Sequence, residues 1–194
     1  MIAKKCMHIV FIPFLFFLLF LFLSFAFNGF IYLCLLFFLL FLFFLFFFRD
    51  PEREIGEGIV SPADGRVMES NEKISIFMNL WDVHVNRSPL DGKIKKMEHF
   101  PGKHAPAFKD VEKNEHLVIL LDTEVGMIKI VQIAGIFARR IVPYVKEGDV
   151  VKKGDKIGIV RFGSKVEVYL PDKAKIIVKK GDEIKAGQTI GICE

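Results

Sequence analysis

The stretch VKEGDVVKKGDKIGIV, Val145–Val160, returns 33 residues later as VKKGDEIKAGQTIGIC, Val178–Cys193. Both copies run through Gly-Asp, a lysine, a second glycine and Ile-Gly-Ile in the same order. Glycine and aspartate tolerate the positive φ of a tight turn, so Gly148-Asp149 and Gly181-Asp182 each read as a turn between two short strands. Two copies predict two similar hairpins packed on each other. Working outward, Ile74–Met78, Leu117–Leu121, Met127–Ile133, Ile157–Val160 and Val166–Leu170 are short Val- and Ile-rich runs bounded by Gly, Asp, Asn and Pro. That spacing predicts a mostly β, β-rich α+β soluble domain. Pro101 and Pro106 argue against a long helix between Glu98 and Asn114.

A different solvent is written into the N-terminal part. Ile9 to Phe48 contains no charged residue over 40 positions. As one helix it would be about 60 Å long, twice the roughly 30 Å apolar core of a bilayer. Asn28-Gly29 breaks the run near its middle, so two spans are expected, about 9–27 and 30–48, joined by a tight turn. A cleaved secretory signal would have an apolar region of only about 7–15 residues. Lys4 and Lys5 precede the run and Arg49 and Arg53 follow it, which places both ends in the cytoplasm. The expected organisation is an anchor over 1–48 and a second, soluble domain over 49–194 on the cytoplasmic face of the cell membrane.

All 23 acidic residues and all but two of the 27 basic ones lie beyond the apolar run. The second domain is therefore nearly neutral, and no basic stripe suggests nucleic acid. Cys6, Cys34 and Cys193 have neither metal-ligand nor disulfide spacing. His99, His104 and His116 match no ligand pattern, so no metal is expected.

Three segments hold chemistry-bearing residues: SPADGRV (Ser61–Val67), NLWDVHVNRSPLDG (Asn79–Gly92) and RFGSKVEVYLP (Arg161–Pro171). Alternation in Val83-His84-Val85 turns His84 away from its valine neighbours, toward a cleft or solvent if the valines face the core. Gly163-Ser164 reads as a tight bend between the two repeat copies. With Gln132–Ile141 and the VKEGD turn, these segments, in this order from Ile59 to Pro171, resemble the short-chain class of phosphatidylserine decarboxylase proenzymes, a class that includes archaetidylserine decarboxylase-like members.

The resemblance implies a membrane-bound decarboxylase of a serine phospholipid, phosphatidylserine or archaetidylserine. It implies self-cleavage between Gly163 and Ser164 into a large chain, 1–163, and a small chain, 164–194, held together as a heterodimer. Ser164 then becomes a pyruvoyl group that forms a Schiff base with the substrate amine, without pyridoxal phosphate or metal. The matching positions for a base and its orienter are His84 and Asp64. Some longer members carry a second histidine three residues after the first; here that position is Arg87, so His84 serves both maturation and turnover, or another group helps. Arg87, Arg139 and Arg140 are the candidates for the lipid phosphate.

A competing reading comes from the repeats, which also resemble lipoyl and biotinyl carrier hairpins, with Lys173 in a lipoyl-like Asp172-Lys173-Ala174. That reading makes the chain a membrane-tethered carrier or adaptor. Counted from Gly148-Asp149, however, the modified position of such a hairpin falls on Ser164 and not on Lys173.

Overall fold

Leucine and phenylalanine crowd the first fifty residues, and in the computed structural model they form two helices, α1 (Met7–Ser24) and α2 (Phe30–Phe47). The structure describes residues 1–102, 114–135, 140–161 and 164–193, and it divides into two units, Met1–Pro51 and Glu52–Glu194. Each helix has 18 residues and is long and apolar enough to cross a membrane. They are joined by the Phe25–Gly29 turn, and their facing sides interlock through rings: Phe14 on Phe41 at 4.9 Å, Phe16 on Phe37 at 5.0 Å and Phe17 on Phe38 at 5.3 Å. Their outer sides leave Leu15, Phe22, Leu35 and Leu39 exposed, an arrangement suited to lipid and costly in water. The two ends of this unit meet. Ala3 N–H donates to Phe48 O at 2.8 Å and Asp50 N–H to Met1 O at 2.7 Å.

The second unit is built from β-structure, with strands numbered in chain order. Its large sheet has eight antiparallel strands, in the order β13 (Glu183–Ile184), β2 (Gly65–Ser70), β3 (Ile74–Met78), β11 (Ser164–Tyr169), β7 (Gly126–Ala134), β6 (His116–Thr123), β5 (Gly92–Phe100) and β9 (Val150–Val151). Two three-stranded sheets complete it. One is β1 (Ile59–Val60), β14 (Thr189–Cys193) and β12 (Ala174–Ile176); the other is β4 (Val85–Arg87), β10 (Lys156–Val160) and β8 (Ile141–Pro143). Every run expected to be a strand overlaps one, with only Leu170 falling outside, and the mostly β class holds. Ile74, Ile76, Ile128, Ile130, Val166 and Val168 of the large sheet join Ile59, Ile190, Ile157 and Val160 of the small sheets in one buried cluster.

The repeat is real, but its unit is not the expected hairpin. Each copy contains two turns of the form Lys-x-Gly-(Asp/Gln): Lys146–Asp149 and Lys152–Asp155, then Lys179–Asp182 and Lys185–Gln188. In all four the glycine has φ between 85° and 102°. The last side chain accepts from the first N–H, at 2.9, 2.8, 2.8 and 3.2 Å. A positive φ at the third position is the type II turn that glycine permits. The second turn of each copy sends the chain into another sheet, so the copy's two strands never pair: β9 joins β5 while β10 joins β4 and β8.

Each copy instead grips a second repeated segment, Ser61–Gly65 (SPADG) or Ser88–Gly92 (SPLDG). Gly187 N–H donates to Ser61 O as Gly154 N–H does to Ser88 O, both at 2.9 Å. Ala186 N–H donates to Asp64 Oδ1 at 2.9 Å, and Lys153 N–H to Asp91 Oδ1 at 2.6 Å. The duplication therefore covers four segments.

Candidate active site

Three strands of the large sheet end at Ser164. It opens β11, and its register partners are Met78, the last residue of β3, and Ala134, the last of β7. Ser164 is fully buried. A buried hydroxyl ordinarily finds an oxygen acceptor. Among the described residues Ser164 Oγ has instead only the Met78 thioether, at 3.9 Å, a weak acceptor. The same sulfur lies 3.6 Å from Asn86 Nδ2, and Asn86 Oδ1 accepts from Gln132 Nε2 at 2.6 Å. Gln132 Oε1 is buried with no hydrogen-bond partner among the described residues. Gly158 makes room for this amide: a Cβ there would lie 3.1 Å from Gln132 Nε2 and 3.1 Å from Val142 O.

His84 reaches the same end of the sheet from Met78. The chain turns at Asn79–Asp82, where Asp82 Oδ2 accepts from Asn79 N–H at 2.6 Å, and His84 follows just before β4. Val83, His84 and Val85 are all buried, so the expected alternation fails, because regular strand begins only at Val85. The His84 carbonyl accepts from Val160 N–H at 3.3 Å, four residues before Ser164. Its Nδ1 lies 3.0 Å from Asp82 O. A carbonyl oxygen can only accept, so in the neutral ring Nδ1 carries the hydrogen and Nε2 holds the lone pair. The Asp82 carbonyl is thus one group that holds the ring.

Asp64, expected to orient His84, is buried and occupied elsewhere. Its Oδ2 takes a short contact from Arg53 Nη2 at 2.5 Å, and its Oδ1 accepts from Ala186 N–H. Its segment does reach the neighbourhood, since Arg87 N–H donates to Pro62 O at 2.8 Å. Arg87, a candidate for the lipid phosphate, is buried, and its Nη1 donates to Gly154 O at 2.9 Å, tying β4 to a repeat turn. Arg140 is exposed. Arg139, Gly163 and His104 lie outside the described residues. Lys173 is exposed in a turn between β11 and β12, which belong to different sheets, so it is not the apex of a paired hairpin.

Sequence reading passed over several residues here. Met78, Asn86 and Gln132 were legible only as polar or soft groups among Val and Ile, and Arg53 only as a cation flanking the apolar run. Glu167 is another. On the opposite face of β11 from Ser164 it is buried and binds Lys165 Nζ at 2.8 Å, Lys73 Nζ at 2.9 Å and the Tyr169 hydroxyl at 3.0 Å. Burial pushes its carboxyl up, but the hydrogen bonds and charges of Lys165 and Lys73 together outweigh that and hold it below the usual carboxylate range. His99 meets Glu115 at 2.9 Å, and His116 stacks on Phe100 at 4.7 Å. Among the described residues no cluster has the makings of a metal site.

A family model described as phosphatidylserine decarboxylase matches residues 40–73 and 68–192, which take in Asp64, His84 and Ser164. The chain belongs to the phosphatidylserine decarboxylase family. Among its relatives, the phosphatidylserine decarboxylase proenzyme of Streptomyces avermitilis is 50% identical over 150 residues, 73% of this chain and 70% of that protein. The putative archaetidylserine decarboxylase proenzyme of Archaeoglobus fulgidus is 48% identical over 149 residues, 75% of each. A third, the phosphatidylserine decarboxylase proenzyme of Syntrophus aciditrophicus, is 46% identical over 160 residues, 73% of this chain and 75% of that protein. Within the phosphatidylserine decarboxylase family, bacterial and archaeal lipid names thus stand at nearly equal distance from this sequence.

Proposed function

We propose that this chain is a membrane-bound proenzyme that cleaves itself between Gly163 and Ser164 and then decarboxylates a serine phospholipid, phosphatidylserine or archaetidylserine, to its ethanolamine counterpart. The observation that carries the reading is the state of Ser164, a fully buried hydroxyl at the head of a central strand with only a thioether for a partner among the described residues. Leaving such a hydroxyl poorly bonded costs about 1–3 kcal/mol, and a purely structural position would favour alanine.

In maturation His84 Nε2 takes the Ser164 proton as Oγ attacks the Gly163 carbonyl, replacing the peptide bond by an ester. Elimination releases Gly163 as a carboxylate and leaves position 164 as dehydroalanine. Water converts this to the keto group and frees ammonia. The surroundings suit a small uncharged keto-amide: Ser164, Asn86 and Gln132 are fully buried, Asn86 and Gln132 offer amides, and Gln132 Oε1 has acceptor capacity to spare. Once formed, that group supplies an electron sink for the bond broken as carbon dioxide leaves. His84, held through Nδ1 by Asp82 O, returns a proton to the substrate α-carbon. We assign Gln132 Oε1, buried and without a hydrogen-bond partner among the described residues, to the substrate amine as an acceptor. Exposed Arg140 is the better candidate for the lipid phosphate, with Arg139 beside it in sequence, while Arg87 serves packing. We assign the apolar helices to anchoring, with the second unit on the cytoplasmic face.

Mass spectrometry of the purified chain tests this. Two fragments are expected, one ending at Gly163 and one beginning with a blocked residue of pyruvoyl mass. Ser164→Ala should stay in one piece and release no carbon dioxide from serine lipids. An active preparation whose residue 164 is still serine would overturn the reading, and lipoate or biotin on Lys173 would replace it by the carrier.

A further inference from the structure

The turn between β3 and β4 is built backwards for a surface turn. Its geometry is supplied by its ends, through Asp82 N–H donating to Asn79 O at 3.0 Å and Asp82 Oδ2 accepting from Asn79 N–H at 2.6 Å. Its two central positions, where Gly, Pro, Asn or Ser usually stand, are Leu80 and Trp81. Leu80 is 41% exposed and Trp81, the chain's one tryptophan, 69% exposed. Among the described residues of the second unit they are the one adjacent pair of exposed large hydrophobics; Ile55, Met68, Val150 and Ile177 stand singly.

Their position is as telling as their exposure. Leu80 is two residues past Met78, the register partner of Ser164, and Trp81 is three residues before His84. At a reach of no more than about 3.6 Å per residue, Leu80 lies within about 7 Å of Met78 and Trp81 within about 11 Å of His84 along the chain. The same end of the large sheet carries Phe100, 41% exposed, at the end of β5. The register runs from Phe100 through His116 and Ile133 to Lys165 and Phe77, so Phe100 stands four strand spacings, about 19 Å, from the β3 end. Exposed Arg66, register partner of Phe77, adds a cation to this rim.

We propose that the Leu80–Trp81 turn is a membrane wedge: it enters the headgroup–acyl boundary of the bilayer and sets the Ser164 end of the sheet at the depth of the lipid headgroups. The occupant follows from the chain itself. It is tethered to two helices of membrane-crossing length, and a tryptophan with an aliphatic neighbour is the side-chain pair that partitions to that boundary. A two-tailed substrate need then rise only by the height of its headgroup to reach the buried site. This inference rests on the proposed lipid substrate, but the test reads membrane contact without reading catalysis.

Because Trp81 is alone, its fluorescence reports on the tip without labelling. The full chain is placed in phosphatidylcholine nanodiscs whose acyl chains carry bromine near their headgroup ends. Trp81 emission should be blue-shifted against the urea-denatured chain, quenched by about half or more by the brominated lipid, and barely touched by aqueous iodide. Emission at the solvated wavelength, open to iodide and indifferent to bromine, would overturn the wedge even if the protein decarboxylates lipid. Quenching in a preparation that decarboxylates nothing would leave the wedge standing and remove the proposed function. As a second reading, Trp81→Ser should lower turnover of bilayer substrate about tenfold while changing turnover of a short-chain, detergent-dispersed substrate less than about twofold. Equal losses on both substrates would count against the wedge.

Discussion

Glu167 and Ser164 share β11 but face opposite sides of the sheet, and the charge on one side holds the strand that presents the hydroxyl on the other. Glu167→Gln leaves Lys73 and Lys165 without their common carboxylate and should cost about 1–3 kcal/mol, less than for a deeply buried pair because Lys73 is partly exposed. Its carboxyl titrates below the ordinary range in the folded chain, so the unfolded chain binds the proton more readily. The stabilisation is full above about pH 4.3, the unfolded value, and is lost as pH falls through the lower folded value. Urea melts of the wild type should therefore weaken on acidification more than those of Glu167→Gln; parallel acid limbs would show that the carboxylate contributes nothing. Asp64 and Asp91 give a second comparison, since both cap a repeat turn but only Asp64 also holds Arg53. Asp91→Ala should cost about 0.5–1.5 kcal/mol and Asp64→Ala about 3–5 kcal/mol, the larger loss reflecting an arginine stranded in a mostly buried site. Adding Arg53→Gln to Asp64→Ala should recover part of it, and strict additivity would sink the pairing. In processing assays Asp64→Asn separates the two roles: self-cleavage as fast as in Asp91→Asn would confine Asp64 to structure. Ser164, His84 and Asp64 could be singled out from one sequence because they sit in compact motifs. Met78, Asn86 and Gln132 could not, because what makes them notable is a partner far away in the chain.

The repeated turns show what local sequence can and cannot carry. A Lys-x-Gly-Asp turn is specified within four residues by a positive φ and one side-chain acceptor, and strands such as Ile74–Met78 by their own β-branched run. Their pairing is a long-range matter, which is why the expected hairpins proved to be strands shared out between sheets. The SPADG and SPLDG segments were readable side by side, yet their equivalence emerges only from the identical bonds each makes to its copy of the turn unit. The same topology bears on the proposed cut. Residues 164–194 supply β11, β12, β13 and β14. β11 lies between β3 and β7, β13 is on β2, and β14 is on β1, all of the prospective large chain. Val166, Val168 and Ile190 bring fully buried side chains to the common core, each worth about 1.5–3 kcal/mol. The two fragments should accordingly co-elute on size exclusion in mild detergent at neutral pH and part only in denaturant. Dissociation at micromolar concentration without denaturant would mean that β11 leaves the sheet on cleavage.

At the scale of the molecule, two units answer to two solvents, and the border between them is drawn by charge. The helical unit holds no charged residue from Ile9 to Phe48, and its helices, about 27 Å long at about 1.5 Å per residue, are close to the roughly 30 Å apolar thickness of a bilayer. Met1 and Ala3 bond to the Phe48–Asp50 segment, so Lys4, Lys5 and Arg49 collect at one end while the uncharged turn at Asn28-Gly29 lies at the other. Carrying that basic end across the membrane would cost far more than carrying the turn, so the proposed orientation keeps the cationic flanks in the cytoplasm. In a background with Cys6, Cys34 and Cys193 replaced by serine, Asn28→Cys should react with an impermeant maleimide added to intact cells. Glu57→Cys, at the start of the second unit, should react only after the cells are opened. Reversal of the two would invert the proposed orientation and place the lipid chemistry on the outer leaflet. Protection of both positions until lysis would mean that the hairpin does not cross, leaving the Leu80–Trp81 turn to make its membrane contact without a spanning tether.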